Sequence, residues 1–68
     1  NEFVTNIMAA IISEIMENLD VTLSEARDII DDLKSDVNHY IAHGDLSSAE
    51  EALYEYGIEM GDWLDAIA

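Results

Sequence analysis

The clearest pattern in this chain is a set of apolar positions spaced three and four residues apart, between a capping signal and a glycine. Thr22 and Glu25 form a capping box, in which each side chain can accept a hydrogen bond from the backbone amide of the other residue. Gly44 can adopt the left-handed conformation that ends many helices. We therefore predict a helix over residues 22–42, with an apolar face made by Leu23, Ala26, Ile30, Leu33, Val37 and Tyr40.

The segment before this helix carries more apolar side chains than one helix–helix contact requires. We predict a first helix over residues 1–19 that is either packed between two other helices or partly buried in an oligomer. Ile12 and Met16 lie on the shoulder that a single core contact would leave uncovered, so they are the candidates for self-association. The apolar positions of this helix are Phe3, Val4, Ile7, Met8, Ile11, Ile12, Ile15, Met16 and Leu19.

The C-terminal half begins with two overlapping capping signals. Asp45 and Ser47 can each cap a third helix, and we prefer Ser47 because Ser47 and Glu50 are spaced as a second capping box. Gly57 supplies the next stop signal. The tail over residues 59–68 predicts a short fourth helix, with a buried face made by Met60, Trp63, Leu64 and Ile67.

These elements together indicate an all-α fold. The sequence contains no proline, shows no strand-like alternation and allows only short connections between helices. We predict a single helical domain over residues 1–68, built as a small bundle of three main helices plus a short C-terminal helix.

The net charge of the chain excludes some classes of binding partner. Sixteen aspartates and glutamates against two lysines and arginines give a formal net charge of −14. Direct binding to nucleic acid needs a basic surface, and an anionic membrane repels an acidic one, so we expect neither partner. The longest apolar run is too short to span a bilayer, and no basic leader precedes it, so we expect a cytoplasmic protein.

Acidic positions recur three and four residues apart within one narrow arc of the predicted second helix. No lysine or arginine lies in this arc. Arg27 and Lys34 instead flank Asp31, at spacings that allow them to pair with it. We call the uninterrupted positions the acidic row: Glu25, Asp28, Asp32 and Asp36.

Tyr54 is the candidate contact residue outside the acidic row. The predicted third helix turns it outward, with Glu50, Glu51 and Glu55 around it. Tyrosine is enriched at binding hot spots, although single exposed tyrosines are also common. The sequence leaves both interpretations open.

Asp36, His39 and His43 are weak candidates for a metal site, because their spacing places three potential ligands on one helix face. The simpler interpretation is that both histidines are solvated and interact with the carbonyl end of the helix. We expect no metal and no cofactor. We also expect no enzymatic activity, since the serines lie at helix starts or on polar faces and a bundle of this size has little room for a concave site.

Two functional hypotheses follow from these features. The first is a non-enzymatic protein-binding domain whose acidic row engages a basic protein, such as a nucleic-acid-binding protein. Carboxylates on successive helical turns repeat about every 5 to 6 Å, comparable in scale to the separation of phosphates along a strand. In size and acidity the chain resembles the DNA-mimicking inhibitors of phages and mobile elements, without a shared motif.

The second hypothesis is a helical interaction module that forms a homodimer or binds an apolar partner through its first helix. In that case the acidic surface serves solubility only.

Overall fold

The structure is a computed structural model that describes the backbone of residues 2–67 and the side chains of residues 7–67. The described part of the chain consists of helices joined by short turns, with three main helices and a short C-terminal one, as the sequence predicts. Phe3 and Val4, two of the predicted apolar positions, lie outside the described side chains. The helices are α1 (Glu2–Leu19), α2 (Leu23–Ala42), α3 (Leu46–Tyr54) and α4 (Met60–Ile67).

The first helix packs against two others. α1 contacts both α2 and α4, while α2 packs most extensively against α3 and α3 also touches α4. These contacts with two helices agree with the first interpretation of its broad apolar surface, and the second, partial burial in an oligomer, stays a prediction. Within residues 2–67, none of the four helices combines the length and hydrophobicity needed to cross a lipid bilayer.

The core contains only apolar side chains among the residues described. α2 contributes Ala26, Ile30, Leu33 and Val37, which are the central positions of the stripe predicted from spacing. The other buried side chains come from α1, α3, α4 and the α3–α4 connection: Ile11, Ile15, Ala49, Leu53, Ile58, Trp63 and Ala66. Every described charged side chain therefore lies outside the core.

Trp63 is fully buried, as the sequence predicts. Its indole Nε1–H has no hydrogen-bond partner in the described part of the chain. A buried donor left without a partner costs about 1–3 kcal/mol. Burial of the large indole ring offsets that cost, because aromatic side chains contribute much of the apolar area of a small core.

The prediction for the apolar face of α4 is only partly right. Leu64 is 47% exposed and Ile67 is 39% exposed, whereas Ala66 takes the second buried position beside Trp63. The short helix turns the indole ring of Trp63 into the core, and Leu64 and Ile67 then lie at the margin of the core. Leu23, at the start of α2, is also exposed rather than buried.

The N-terminus of α2 has the predicted capping box. The Glu25 amide donates to Thr22 Oγ1 at 3.2 Å, and the Thr22 amide donates to Glu25 Oε1 at 3.2 Å. These two bonds satisfy backbone donors that the first turn of a helix leaves without partners.

The preference for Ser47 as the cap of α3 is wrong, because Asp45 is the capping residue. The Ser48 amide donates to Asp45 Oδ1 at 3.2 Å, and the Ser48 hydroxyl donates to Asp45 Oδ2 at 2.7 Å. Mainly through the hydroxyl bond, Ser48 holds the pKa of Asp45 below its ordinary value. Asp45 directly follows the turn glycine, so α3 starts as soon as α2 has ended.

The first three helices end in the same way. After each helix one residue has a positive φ, and the following amide donates to a carbonyl five residues back. In the third turn this bond joins the Ile58 amide to the Leu53 carbonyl at 3.0 Å and returns Ile58 to the core, a placement that the sequence analysis missed. The positive-φ residues are Asp20 (54°), Gly44 (72°) and Gly57 (72°).

Asp20 is the position where a substitution should stabilise the fold. An aspartate in the left-handed region is strained, and Asp20 directly follows the carbonyl end of α1, where a negative charge is unfavourable. We predict that Asp20→Gly raises the free energy of unfolding by about 0.5 kcal/mol, which is a few degrees in Tm for a domain of this size. Asp20→Ala removes the same charge but keeps a Cβ. Thermal unfolding should therefore give the alanine variant a lower Tm than the glycine variant. A higher Tm for the alanine variant would contradict this explanation of the turn.

Candidate partner-binding surface

The acidic row lies on the exposed side of a firmly anchored helix. Its four carboxylate residues are all exposed, while the stripe that begins at Ala26 and ends at Val37 holds α2 in the core. Glu25 also has a structural role, because its Oε1 accepts hydrogen bonds from the Thr22 amide and hydroxyl. The first member of the row is therefore fixed by the cap, and the other three follow along the helix.

The neighbouring cations do little to neutralise this surface. Arg27, Lys34 and Asp31 are all exposed on α2, outside the acidic row. Ion pairs between exposed side chains contribute at most about 1 kcal/mol and are screened by salt. Whatever pairing they form, the row keeps its local excess of negative charge.

Tyr54 lies on a second acidic surface, as the sequence predicts. Its side chain is 78% exposed and lines an open concavity of about 510 Å³ with Ser47, Glu50, Glu51 and Glu55. These residues belong to α3 and the position that follows it, so the concavity is a shelf on one helix and not a cleft between helices. A tyrosine ring surrounded by carboxylates is suited to contact with a lysine or arginine, through its π face and through the acids.

The two histidines at the end of α2 are brought together. Their ring centroids are 4.3 Å apart, and the His43 Nδ1–H donates to the His39 carbonyl at 2.9 Å. This bond supports the interpretation that the histidines interact with the carbonyl end of the helix. Asp36 does not complete a cluster with them, since no three potential ligands lie close enough to share an ion within the described part of the chain.

Ile12 and Met16 lie at the edge of the core. Both are half-buried on α1 and pack against the buried cluster. They are neither fully buried within the chain nor fully exposed to solvent. Their role in self-association stays a prediction.

One concave site was missed by the sequence analysis. A cleft of about 200 Å³ lies between α1 and the segment that connects α3 to α4 and begins α4. We call it the α1–α4 cleft. No pattern in the sequence could have revealed it, because it joins residues that are far apart in the chain. The cleft is lined by Ile7, Ala10, Ile11, Glu14, Gly57, Ile58 and Asp62.

The acidic row should make the protein less stable than its packing allows. Like charges on successive turns destabilise a helix by a few tenths of a kcal/mol per pair. We predict that Asp32→Asn combined with Asp36→Asn raises Tm at neutral pH, and that added salt raises Tm more in the wild type than in this variant. Thermal unfolding followed by circular dichroism measures both effects.

The control is Asp31→Asn, which removes one exposed charge flanked in sequence by two cations, whereas the double variant removes two charges within the row. It should leave Tm unchanged or lower. Equal stabilisation by the control and the double variant would contradict local repulsion within the row.

The histidine pair should not form a specific zinc site. Two ligands leave most of the coordination of the ion to water, whereas structural zinc sites use four protein ligands. We predict that zinc produces no saturable rise in Tm in the wild type. A stoichiometric rise that His39→Ala abolishes would show that the pair binds the metal.

Comparisons with protein-family models, with curated proteins and with solved structures found no match for this chain. No relative therefore supplies a function by similarity. The chemistry of the exposed surfaces is what bears on function: the acidic row on α2, the Tyr54 shelf on α3 and the α1–α4 cleft.

Proposed function

We propose that this chain is a non-enzymatic protein-binding domain that engages a basic protein surface through its acidic row. The observation that supports the proposal best is the geometry of α2. One side of the helix is fixed in the core by Ala26, Ile30, Leu33 and Val37, and carboxylates repeat along an exposed side of the same rigid element. Rigid presentation matters because ordering flexible side chains and segments reduces affinity.

The spacing of the acidic row favours one class of basic partner. Carboxylates on successive turns repeat about every 5 to 6 Å, on the scale of neighbouring phosphates in a nucleic-acid strand. A nucleic-acid-binding protein presents basic groups that are spaced for phosphates. The domain would then act as an inhibitor or regulator that occupies the nucleic-acid site of its partner, in the cytoplasm.

The Tyr54 shelf adds to this surface. It is acidic like the row, but it also offers an exposed aromatic ring. Both surfaces are open, a shape that suits contact with another macromolecule better than enclosure of a small substrate. Long-range attraction from a net charge of −14 would speed the encounter with a basic partner.

A second candidate function is self-association or binding of an apolar partner through α1. The observation that favours it is the half-buried state of Ile12 and Met16, which leaves part of each side chain accessible. Salt separates the two candidates. Contact between an acidic and a basic surface weakens steeply as salt rises, whereas an apolar interface holds or strengthens.

We predict that Asp32→Asn with Asp36→Asn weakens binding to the basic partner. The experiment captures proteins from nuclease-treated lysate of the native host at low salt and measures the affinity of each purified partner. Released proteins should be basic, and duplex DNA should compete with the domain for them. A variant that gains stability and still binds at full strength would show that the row is only a solvated face.

The matched control for this binding experiment is Glu17→Gln with Asp65→Asn, which removes two exposed charges from α1 and α4. It changes the net charge by the same amount as the row variant. Equal losses of affinity in the two double variants would mean that net charge matters and the row does not.

We predict for the second candidate that the protein forms dimers which Met16→Lys disrupts, because a charge at this half-buried position opposes an apolar interface. Sedimentation equilibrium at increasing protein concentration measures the dimer fraction, and circular dichroism checks that the variant is folded. A wild-type protein that stays monomeric up to hundreds of micromolar would eliminate self-association through Ile12 and Met16.

A further inference from the structure

We infer that the α1–α4 cleft receives a long basic side chain, a lysine or arginine, from the basic partner. This inference rests on the proposed function and adds an anchoring position to it. The cleft is separate from the acidic row, which lies on α2. It combines an apolar floor with two carboxylates, a combination absent from the convex row.

The floor of the cleft is made by isoleucines. Ile11 and Ile58 belong to the buried core, and Ile7 packs against it from α1. Ala10 is exposed and small, so the surface is recessed at this position. An apolar recess of this kind is favourable for methylene groups, because covering it removes apolar surface from water.

The rim of the cleft carries charge from two different helices. Glu14 lies on α1 and Asp62 lies on α4, and both are exposed and line the same recess. A lysine or arginine can bury its aliphatic stem on the isoleucines and keep its charged head beside the two carboxylates. A purely apolar side chain would use only the floor, and a small cation would use only the rim.

The size of the cleft favours a single side chain over a free ligand. Its volume is about 200 Å³, below the range of roughly 300–1,000 Å³ that is typical of small-molecule sites. Protein–protein contacts commonly place one anchor side chain in a pocket of this kind, surrounded by weaker contacts. The cleft would therefore fix the register of a partner that the acidic surface attracts.

The experiment compares two peptide probes by NMR, with the full chain labelled at backbone amides and isoleucine methyl groups. One probe is capped hexalysine, and the other is a capped hexamer of 2,3-diaminopropionic acid, studied at mildly acidic pH where both carry the same charge. Only hexalysine has a stem long enough to reach the floor. We expect hexalysine to shift the Ile7, Ile11 and Ile58 methyl signals and to bind more tightly, whereas the short-stem probe should leave these signals in place.

Matched variants test the same inference from the side of the protein. Ala10→Phe fills the cleft, and Ala9→Phe places the same ring on a neighbouring exposed position that does not line it. Glu14→Gln with Asp62→Asn neutralises the rim, and Glu17→Gln with Asp65→Asn removes equal charge from positions on the same two helices that do not line the cleft. Each cleft variant should bind hexalysine roughly three- to ten-fold more weakly than its control, the range expected for one anchor with weak ion pairs.

Each outcome decides the inference. Equal affinity for the two probes, or cleft variants that bind as well as their controls, overturns it. The rim pair keeps the test valid if Ala10→Phe fails to fold.

The same data distinguish failure of this inference from failure of the proposed function. If only the acidic-row amides shift, and Asp32→Asn with Asp36→Asn loses affinity, the proposed function stands without the cleft. If the isoleucine methyls shift and the row variant binds normally, the cleft is the binding site and the row is not.

Discussion

Everything on the surface of this molecule depends on a small core from which charge is excluded. Burial of an unpaired carboxylate is far more costly than burial of an apolar side chain, and sixteen acidic residues are distributed over 68 positions. Among the described residues, every buried side chain is apolar. Each helix must therefore turn its apolar side inward, which leaves α2 with an acidic side facing solvent.

The same acidic surface that we propose for binding lowers the stability of the fold. A core of this size leaves little stability to spare, and mutual repulsion of the carboxylates reduces what remains. The charge is much larger than solubility alone requires in a small domain. Surfaces that lower stability are commonly those that bind or catalyse, because function requires groups that folding does not favour. This trade is the physical argument for treating the acidic row as a contact surface.

Local signals in the sequence were enough to predict most of the fold and the acidic surfaces, but not the α1–α4 cleft. The capping box at Thr22 and the stripe along α2 involve neighbours in the chain, and both are as predicted except at Leu23, which is exposed. The choice between Asp45 and Ser47 depended on how tightly one turn joins two helices, and the burial of Ile58 depended on a backbone bond within the following turn. Neither is visible in residue spacing.

The α1–α4 cleft could not be predicted because it joins residues that are far apart in sequence. Ala10 and Asp62 share a recess only because α4 returns to pack on α1. The acidic row, by contrast, lies on a single helix and is fully defined by spacing. The sequence therefore predicted the acidic surface that would attract a basic partner. The cleft that would position this partner could be found only from the tertiary structure.

The most direct test of the central claim exchanges two residues on α2 without changing the composition of the protein. Asp32→Asn with Asn38→Asp moves one carboxylate about 120° around the helix, from the middle of the row to another exposed position, and keeps the net charge. Isothermal titration with the captured basic partner measures the effect. If the arrangement of the row matters, the exchanged variant binds more weakly than the wild type at the same salt; unchanged affinity would contradict a function that resides in the row.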